Sequence, residues 1–568
     1  MTALDWAVLA GTTLFICFWG VWRTKVKTSE NFFRGDYALK WPTIGLSVMA
    51  TQASAITFLS VPGQAYEDGL RFIQFYFGMP LAMVLISAVF IPIYYRLKVV
   101  TAYEYLEARF DLKTRLFGAF LFLIQRGLAS GITLYAPAII LSAVLGWQLE
   151  LTILVMGVVV ILYTVSGGSN AVSQTQKQQM VVMLGGMVVA GLVILWRLPP
   201  EVSVGEAVNI AGAFGRINAV SASFDFEDRY NLWSGLAGGF FLALSYFGTD
   251  QSQVGRYLAG KSIAESRLGL LFNGVLKIPM QLLILGVGIL VFVFYQFTPP
   301  PLLFNAALEQ KVRASPQAGE LVALEERWLT LQAAKKTQVE AFLAAEKAKD
   351  AVTADALRAV LKASAVQANA LRAEAKTVVG KAVPGAEAKD SDYIFITFVK
   401  RWLPSGLFGL LIAVILAAAM SSIASELNAL GATTTVDFYR RVFKREATEQ
   451  HALRASKGFT ILWGVVAIGF ATFASLLDNL IQAVNILGSI FYGTVLGMFL
   501  VAFFVKRVKG NAVFVAAVLS QSTVLALFTF TKIGYLWFNV IGCALVVGLG
   551  SLLQFILPTH ATTRPLPP

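Results

Sequence analysis

The stretch Ala50-Thr51-Gln52-Ala53-Ser54-Ala55-Ile56-Thr57 interrupts an apolar run with small and hydroxyl-bearing residues, and Pro62-Gly63 follow. The run is long enough to cross a hydrocarbon core, which takes about 20 residues at about 1.5 Å of helical rise each. At such depth a polar group or helix breaker costs free energy unless it is paired or faces a cavity. Two readings fit. A helix unwound here frees backbone carbonyls that can coordinate a hard cation; alternatively, the small residues let two helices approach closely.

Working outward, similar apolar runs recur along most of the chain, about thirteen in all. The first spans about Leu4 to Trp22. Others centre near Ala55, Ala82, Ser130, Val158, Gly186, Gly239, Leu282, Ile415, Val465, Phe491, Val518 and Val546. The 568 residues are 57% hydrophobic and 14% charged, outside the range of a soluble domain. The chain therefore reads as an all-α polytopic membrane protein. No basic n-region precedes the first run, which reads as a retained span.

Lys and Arg in short loops next to spans stay on the cytoplasmic side. They cluster in alternate loops: Arg23, Lys25, Lys27 and Arg34; Arg96, Lys98, Arg109, Lys113 and Arg115; Arg256, Lys261 and Arg267; Arg440, Arg441, Lys444 and Arg445; Lys506, Arg507 and Lys509. This predicts a multi-pass protein of the inner membrane with a periplasmic N-terminus and a cytoplasmic C-terminus. The net charge of +13 is then a topology signal and an affinity for lipid headgroups, not a nucleic-acid footprint. The only cysteines are Cys17 and Cys543 and the only histidines His451 and His560, too few for a disulfide framework or a Cys/His metal centre. No phosphate loop ending in Gly-Lys-Ser/Thr is present, which disfavours ATP as an energy source. An enzyme is not expected.

Between about Pro299 and Ser391 the chain turns polar and Ala-rich, with charges of both signs in near balance. Such composition favours helix. The interruption Asp350-Ala351-Val352-Thr353 suggests a two-helix hairpin, and its loop falls on the periplasmic side. It reads as a structural insert or a surface for contacting another protein.

Two further places inside the spans are candidates for chemistry. The run Ala417-Ala418-Ala419-Met420-Ser421-Ser422-Ile423-Ala424-Ser425 places adjacent hydroxyls, and a third one turn on, among small residues. Neutral oxygens suit an alkali cation that must be released again, although small-residue packing explains the same pattern. Arg126 lies eleven residues beyond Arg115, too deep for a helix-end residue. It either binds an anionic substrate bidentately or pairs with carbonyls or a carboxylate.

Four segments resemble the sodium:solute symporters, a family that includes bacterial galactose, proline and sialic acid transporters. They are Gly45-Leu46-Ser47 through Val61-Pro62-Gly63-Gln64-Ala65-Tyr66; Tyr95-Arg96-Leu97 with Thr101-Ala102-Tyr103-Glu104-Tyr105-Leu106-Glu107; Tyr135-Ala136-Pro137-Ala138 followed by Tyr163-Thr164-Val165-Ser166-Gly167-Gly168; and Gly248-Thr249-Asp250-Gln251 with Arg256. The likeness runs from about Trp41 to Lys509, outside the insert. Its wording is most similar to the branch of iodide, monocarboxylate and multivitamin transporters, which implies an anionic solute.

The resemblance implies a five-plus-five inverted repeat with discontinuous first helices. The expected organisation is a first transmembrane helix and cytoplasmic loop (1–40), the first repeat (41–198), a periplasmic loop (199–231) and the start of the second repeat (232–298). The periplasmic helical-hairpin insert (299–391), the rest of the second repeat (392–509) and the C-terminal helices and tail (510–568) follow. It also implies a sodium ion held by carbonyls of Ala50, Ala53 and Ala418 and hydroxyls of Ser421 and Ser422. Ser54, Thr57, Gln74, Tyr76, Arg126, Tyr246, Gln482 and Asn485 are the implied substrate contacts. Two departures stand out. Ala129 occupies the place of a carboxylate-binding Arg of sialic acid transporters, with Arg126 one turn earlier. Many members have Asp after Thr at the start of the fifth repeat helix, where this chain has Thr175-Gln176-Lys177. The expected function is sodium-coupled import of a small, anionic organic solute across the bilayer by alternating access with one sodium per cycle. The alternatives are a sodium-independent transporter or a membrane nutrient sensor on the same fold.

Overall fold

The computed structural model describes residues 1–22, 39–97, 99–384, 390–473 and 480–557. Arg23, Lys25, Lys27, Arg34, Lys98 and His560 lie outside them. The regular secondary structure of the described residues is helical, apart from one isolated parallel bridge between Leu39 and Gly260. Ten helical stretches are long and apolar enough to cross a membrane, and Ala3–Phe15 and Ser234–Gly248 are shorter apolar helices.

The first helix, α1, is Ala3–Trp22. The next expected span is two helices, α2 at Trp41–Gln52 and α3 at Ala55–Asp68. Between them Ala53 (φ −85°, ψ 75°) and Ser54 (φ −76°, ψ 175°) leave helical geometry. The break falls inside the quoted polar stretch, where side chains are smallest. Pro62 sits inside α3, and a Cβ on the adjoining Gly63 would come within 1.8 Å of the Ser391 carbonyl oxygen. That glycine is needed for backbone-to-backbone contact.

A 3-10 segment, Gly69–Tyr76, leads to α4 (Met79–Leu85) and, through a π segment, to α5 (Ile91–Leu97). Short α6 (Glu104–Arg109) precedes the long α7 (Leu112–Leu145), whose first turn is capped by Asp111. Then come α8 (Leu149–Arg197) and α9 (Val204–Ala213). A second break separates α10 (Gly239–Gly248) from α11 (Gln251–Leu258) at Thr249 and Asp250. The Asp250 side chain caps the restart by accepting from the Ser252 amide at 2.9 Å. Helix α12 is Ile263–Phe297.

The polar segment is helical as expected. It contains α13 (Ala306–Arg313), α14 (Ala318–Lys347) and α15 (Ala351–Ala382). Lys349 at φ 58° makes the turn, and Asp350 caps α15 by accepting from the Thr353 amide at 3.1 Å. Leu321, Leu324 and Trp328 of α14 pack with Leu371, Ala375 and Val378 of α15. The hairpin also seats on the membrane body. Trp328 Nε1 donates to the Pro300 carbonyl at 2.8 Å, and Lys335 Nζ lies 5.1 Å from the Phe214 ring centre and 5.8 Å from that of Phe292 on α12.

The remainder is α16 (Ser391–Trp402), α17 (Leu407–Thr433) with a π-helical extension to Phe443, α18 (Glu449–Ala471), α19 (Leu480–Phe504), α20 (Gly510–Phe530) and α21 (Leu536–Leu553). Helix α17 is the centre of the molecule: every residue from Leu411 to Thr433 is buried. It packs against α2, α3, α7 and α8, so the quoted break and the serine run face each other.

Candidate functional site: a broken helix against a serine-bearing helix

The break after α2 leaves carbonyls of its last turn without an intrahelical N–H. The Ser422 hydroxyl donates to the Ala50 carbonyl at 3.3 Å across the α2–α17 contact. Ser421 lies beside it, with its hydroxyl fully buried and without a partner among the described residues. Ala50, Ala53, Ala418, Ser421 and Ser422 are all 0% exposed. Ala53 is the residue at the break, and Ala418 lies one turn before Ser422. The structure thus joins Ala50 to Ser422 directly and sets Ser421 and the break in the same contact.

Gln176 on α8 completes this contact on one side. Its Oε1 accepts from the Ser47 hydroxyl at 2.5 Å, and its Nε2 donates to Thr51 Oγ1 at 3.1 Å, Ser425 Oγ at 2.8 Å and the Ser421 carbonyl at 3.3 Å. Lys177 is exposed and takes no part.

The expected substrate contacts fall into separate places. Ser54 caps α3 at the break, and the Thr57 amide donates to its carbonyl at 2.9 Å. Gln74 is committed to the loop before α10: its Nε2 donates to the Tyr230 carbonyl at 2.8 Å and its Oε1 accepts from the Ser221 amide at 3.0 Å. Gln482 donates to Gln64 at 2.9 Å and accepts from Arg229 at 2.7 Å. Asn485, nearby on α19, keeps a buried Nδ2 without a partner among the described residues.

Arg126 proves to have carboxylate partners. Its guanidinium pairs with Asp250 at the second break and, at 3.1 Å, with Glu426 on α17, and it donates to the Tyr492 hydroxyl at 2.7 Å. Tyr246 lies beneath it, 5.3 Å from guanidinium carbon to ring centre. Of the two readings of this arginine, pairing with a carboxylate is the arrangement seen here. Two carboxylates already surround it, and a net negative cluster repels a third anion.

Lys277, midway along α12, is a buried basic residue with no carboxylate partner among the described residues. It is 0% exposed, and its Nζ has no hydrogen-bond partner among the described residues. The ammonium sits 5.4 Å from the ring centre of Tyr76. Asn273 and Gln281, one turn to either side, are also fully buried with both amide atoms unpartnered among the described residues. The three make one polar stripe along α12. The sequence reading missed it, although a lysine in a 35-residue apolar helix gives the same signal as Arg126.

The sodium:solute symporter family model matches residues 32–324 and 332–519, nearly the whole membrane body. The chain belongs to the sodium:solute symporter family. The ten long apolar helices of the described residues fit a multi-pass membrane protein of that family, whose name gives sodium as the coupled ion. The chain is 36% identical over 307 residues to the human sodium/iodide cotransporter, covering 53% of this chain and 47% of that one. It is 27% identical over 477 residues to sodium-coupled monocarboxylate transporter 1 of Xenopus laevis, covering 83% and 62%. The chain therefore spans between about half and two thirds of these relatives. Sodium/sialic acid symporter SiaT of Proteus mirabilis is 26% identical over 567 residues, covering 97% and 94%. A solved Na+-coupled sialic acid symporter in a substrate-bound, outward-open state superposes with TM-score 0.75 at 23% identity over 98% of each chain. That likeness shows a shared fold.

Proposed function

We propose that this symporter couples sodium entry to the import of a small organic anion by alternating access, with one sodium per cycle. Ala50, Ala53 and Ala418 supply carbonyls and Ser421 and Ser422 hydroxyls to the ion. The anion binds against Lys277, with Tyr76, Asn273 and Gln281 beside it and Ser54 and Thr57 at the neighbouring break. The observation that carries this reading is Lys277: a buried ammonium in mid-span with no partner among the described residues is held where an anionic ligand offsets its charge.

The architecture proposed with it is thirteen spans in two inverted sets of five, one opening at the Ala53–Ser54 break and the other at the Thr249–Asp250 break. Paired discontinuous helices of this kind bind ion and substrate at mid-membrane. The N-terminus is outside and the C-terminus inside, which places the α14–α15 hairpin in the periplasm as a cap on α12. Leu321, Leu324 and Trp328 are covered by α15, whereas Val322, Leu329, Val352, Val360 and Val366 stay exposed.

Uptake into proteoliposomes tests the reading. Radiolabelled monocarboxylates, iodide, sialic acid and biotin are offered with and without an inward sodium gradient. At least one anion is expected to accumulate only with sodium, and Lys277→Gln is expected to weaken its apparent affinity about tenfold or more. Preference for a neutral solute, or native affinity in Lys277→Gln, contradicts the reading.

A further inference from the structure

The cluster of Arg126, Asp250 and Glu426 carries one formal positive and two formal negative charges, and its members are 3%, 1% and 5% exposed. Both oxygens of Asp250 are engaged. Oδ1 accepts from the Ser252 amide and hydroxyl at 2.9 and 2.6 Å, and Oδ2 accepts from Arg126 and from Tyr492 at 3.0 Å. Glu426 is different. Its Oε1 accepts from Arg126 at 3.1 Å and from Thr133 at 3.4 Å, whereas its Oε2 is buried with no partner among the described residues. A net negative charge at this depth is unfavourable without a compensating cation, and a bare carboxylate oxygen is where that cation goes.

Its position says which cation. Glu426 follows Ser422 by four residues on α17, so it lies on the same face about 6 Å further along the axis. Sodium leaving Ser421 and Ser422 has two faces of α17 to follow. Along Ser421 and Ser425 it meets the amide nitrogen of Gln176, whose N–H groups point at Ser425, Thr51 and the Ser421 carbonyl. Those hydrogen bonds occupy the oxygens an ion would use on this face. Along Ser422 and Glu426 it meets a carboxylate oxygen with nothing bound. Beside the cluster lies a mostly apolar cavity lined by Asp250, Gln125, Thr249, Phe122, Phe491 and Tyr103, which is in the loop before α6.

We propose that Glu426 is a transient sodium site on the release path, where an ion on its free Oε2 competes with Arg126 for the carboxylate's charge. Arg126 now ties α7 to α17 and to the Thr249–Asp250 break through one guanidinium. An ion on Glu426 weakens that tie and frees α7 from α17, opening the way to the cavity. Gln176 is the reason this chain needs such a site: it carries no charge to draw sodium along the other face.

The proposal rests on the Ser421/Ser422 sodium site, and the experiment separates the two. Radiolabelled sodium is the probe, with equilibrium binding measured on purified protein and release into sodium-free medium measured from proteoliposomes. Glu426→Gln is expected to bind sodium within about threefold of wild type but to release it about tenfold more slowly, and Glu426→Asp to release it within about threefold of wild type. Release from Glu426→Gln at the native rate overturns the proposal, as does Glu426→Asp as slow as Glu426→Gln. Unchanged sodium binding in the Ser421→Ala/Ser422→Ala double variant overturns the parent site instead. If Glu426→Gln does not fold, Gln176→Glu supplies the measurement. A carboxylate on the second face is expected to speed release about threefold or more, and an unaltered rate overturns the proposal.

Discussion

Ser421 and Ser422 are neighbours on one buried helix, yet one hydroxyl donates to a carbonyl of the broken helix and the other has no partner among the described residues. A buried hydroxyl without a partner costs roughly 1–3 kcal/mol, which an ion at that place offsets. Replacing either serine by Ala is expected to raise the sodium concentration for half-maximal uptake about tenfold, with the protein still folded. Sodium titrations of uptake check this. These residues were legible because hydroxyls are conspicuous in an apolar helix. Lys277 and Glu426 gave an equally clear signal, a charge inside a span, but each lies in a run whose other features drew the reading elsewhere. Which carboxylates Arg126 pairs with was not legible. Its partners lie 124 and 300 residues away in sequence, and only the packing of α7, α11 and α17 brings them together.

At the scale of elements, the helix break was one of two readings of its segment, and the hairpin followed from composition. Small polar residues in mid-membrane gave the first, and Ala-rich alternation of charge around Asp350 gave the second. How the hairpin seats was hidden. Lys335 on α14 is pressed between Phe214 and Phe292, and burial, with Arg372 and Arg216 nearby, pushes its pKa down to about 7. A base depressed in the folded state holds fewer protons than the unfolded chain between pH 7 and about 10.4, so stability rises with pH across that window. Wild-type Tm, or hydrogen-exchange protection of α14, is expected to increase from pH 7 to 9.5, and Lys335→Met to flatten the slope. Equal slopes in both proteins contradict the packing of Lys335. A second element-scale test is Gly63→Ala. The added methyl meets the Ser391 backbone, and the change is expected to destabilise α3 against α16 by about 1–3 kcal/mol, read as a lower Tm.

For the whole molecule, one sodium moving with one monoanion carries no net charge. The membrane potential, worth about 2.3 kcal/mol per charge per 100 mV, then contributes nothing. A tenfold sodium gradient supplies about 1.4 kcal/mol and supports at most about tenfold accumulation. A sodium Hill coefficient near one is expected, because the Gln176 amide occupies the face of α17 on which a carboxylate would hold a second ion. The measurement that bears most directly on this account is accumulation of a radiolabelled monocarboxylate in proteoliposomes under an inward sodium gradient, against the same vesicles with potassium throughout. The account expects accumulation above the external concentration only with sodium, unchanged when a valinomycin-set potential is imposed. Equal uptake in sodium and potassium would contradict it.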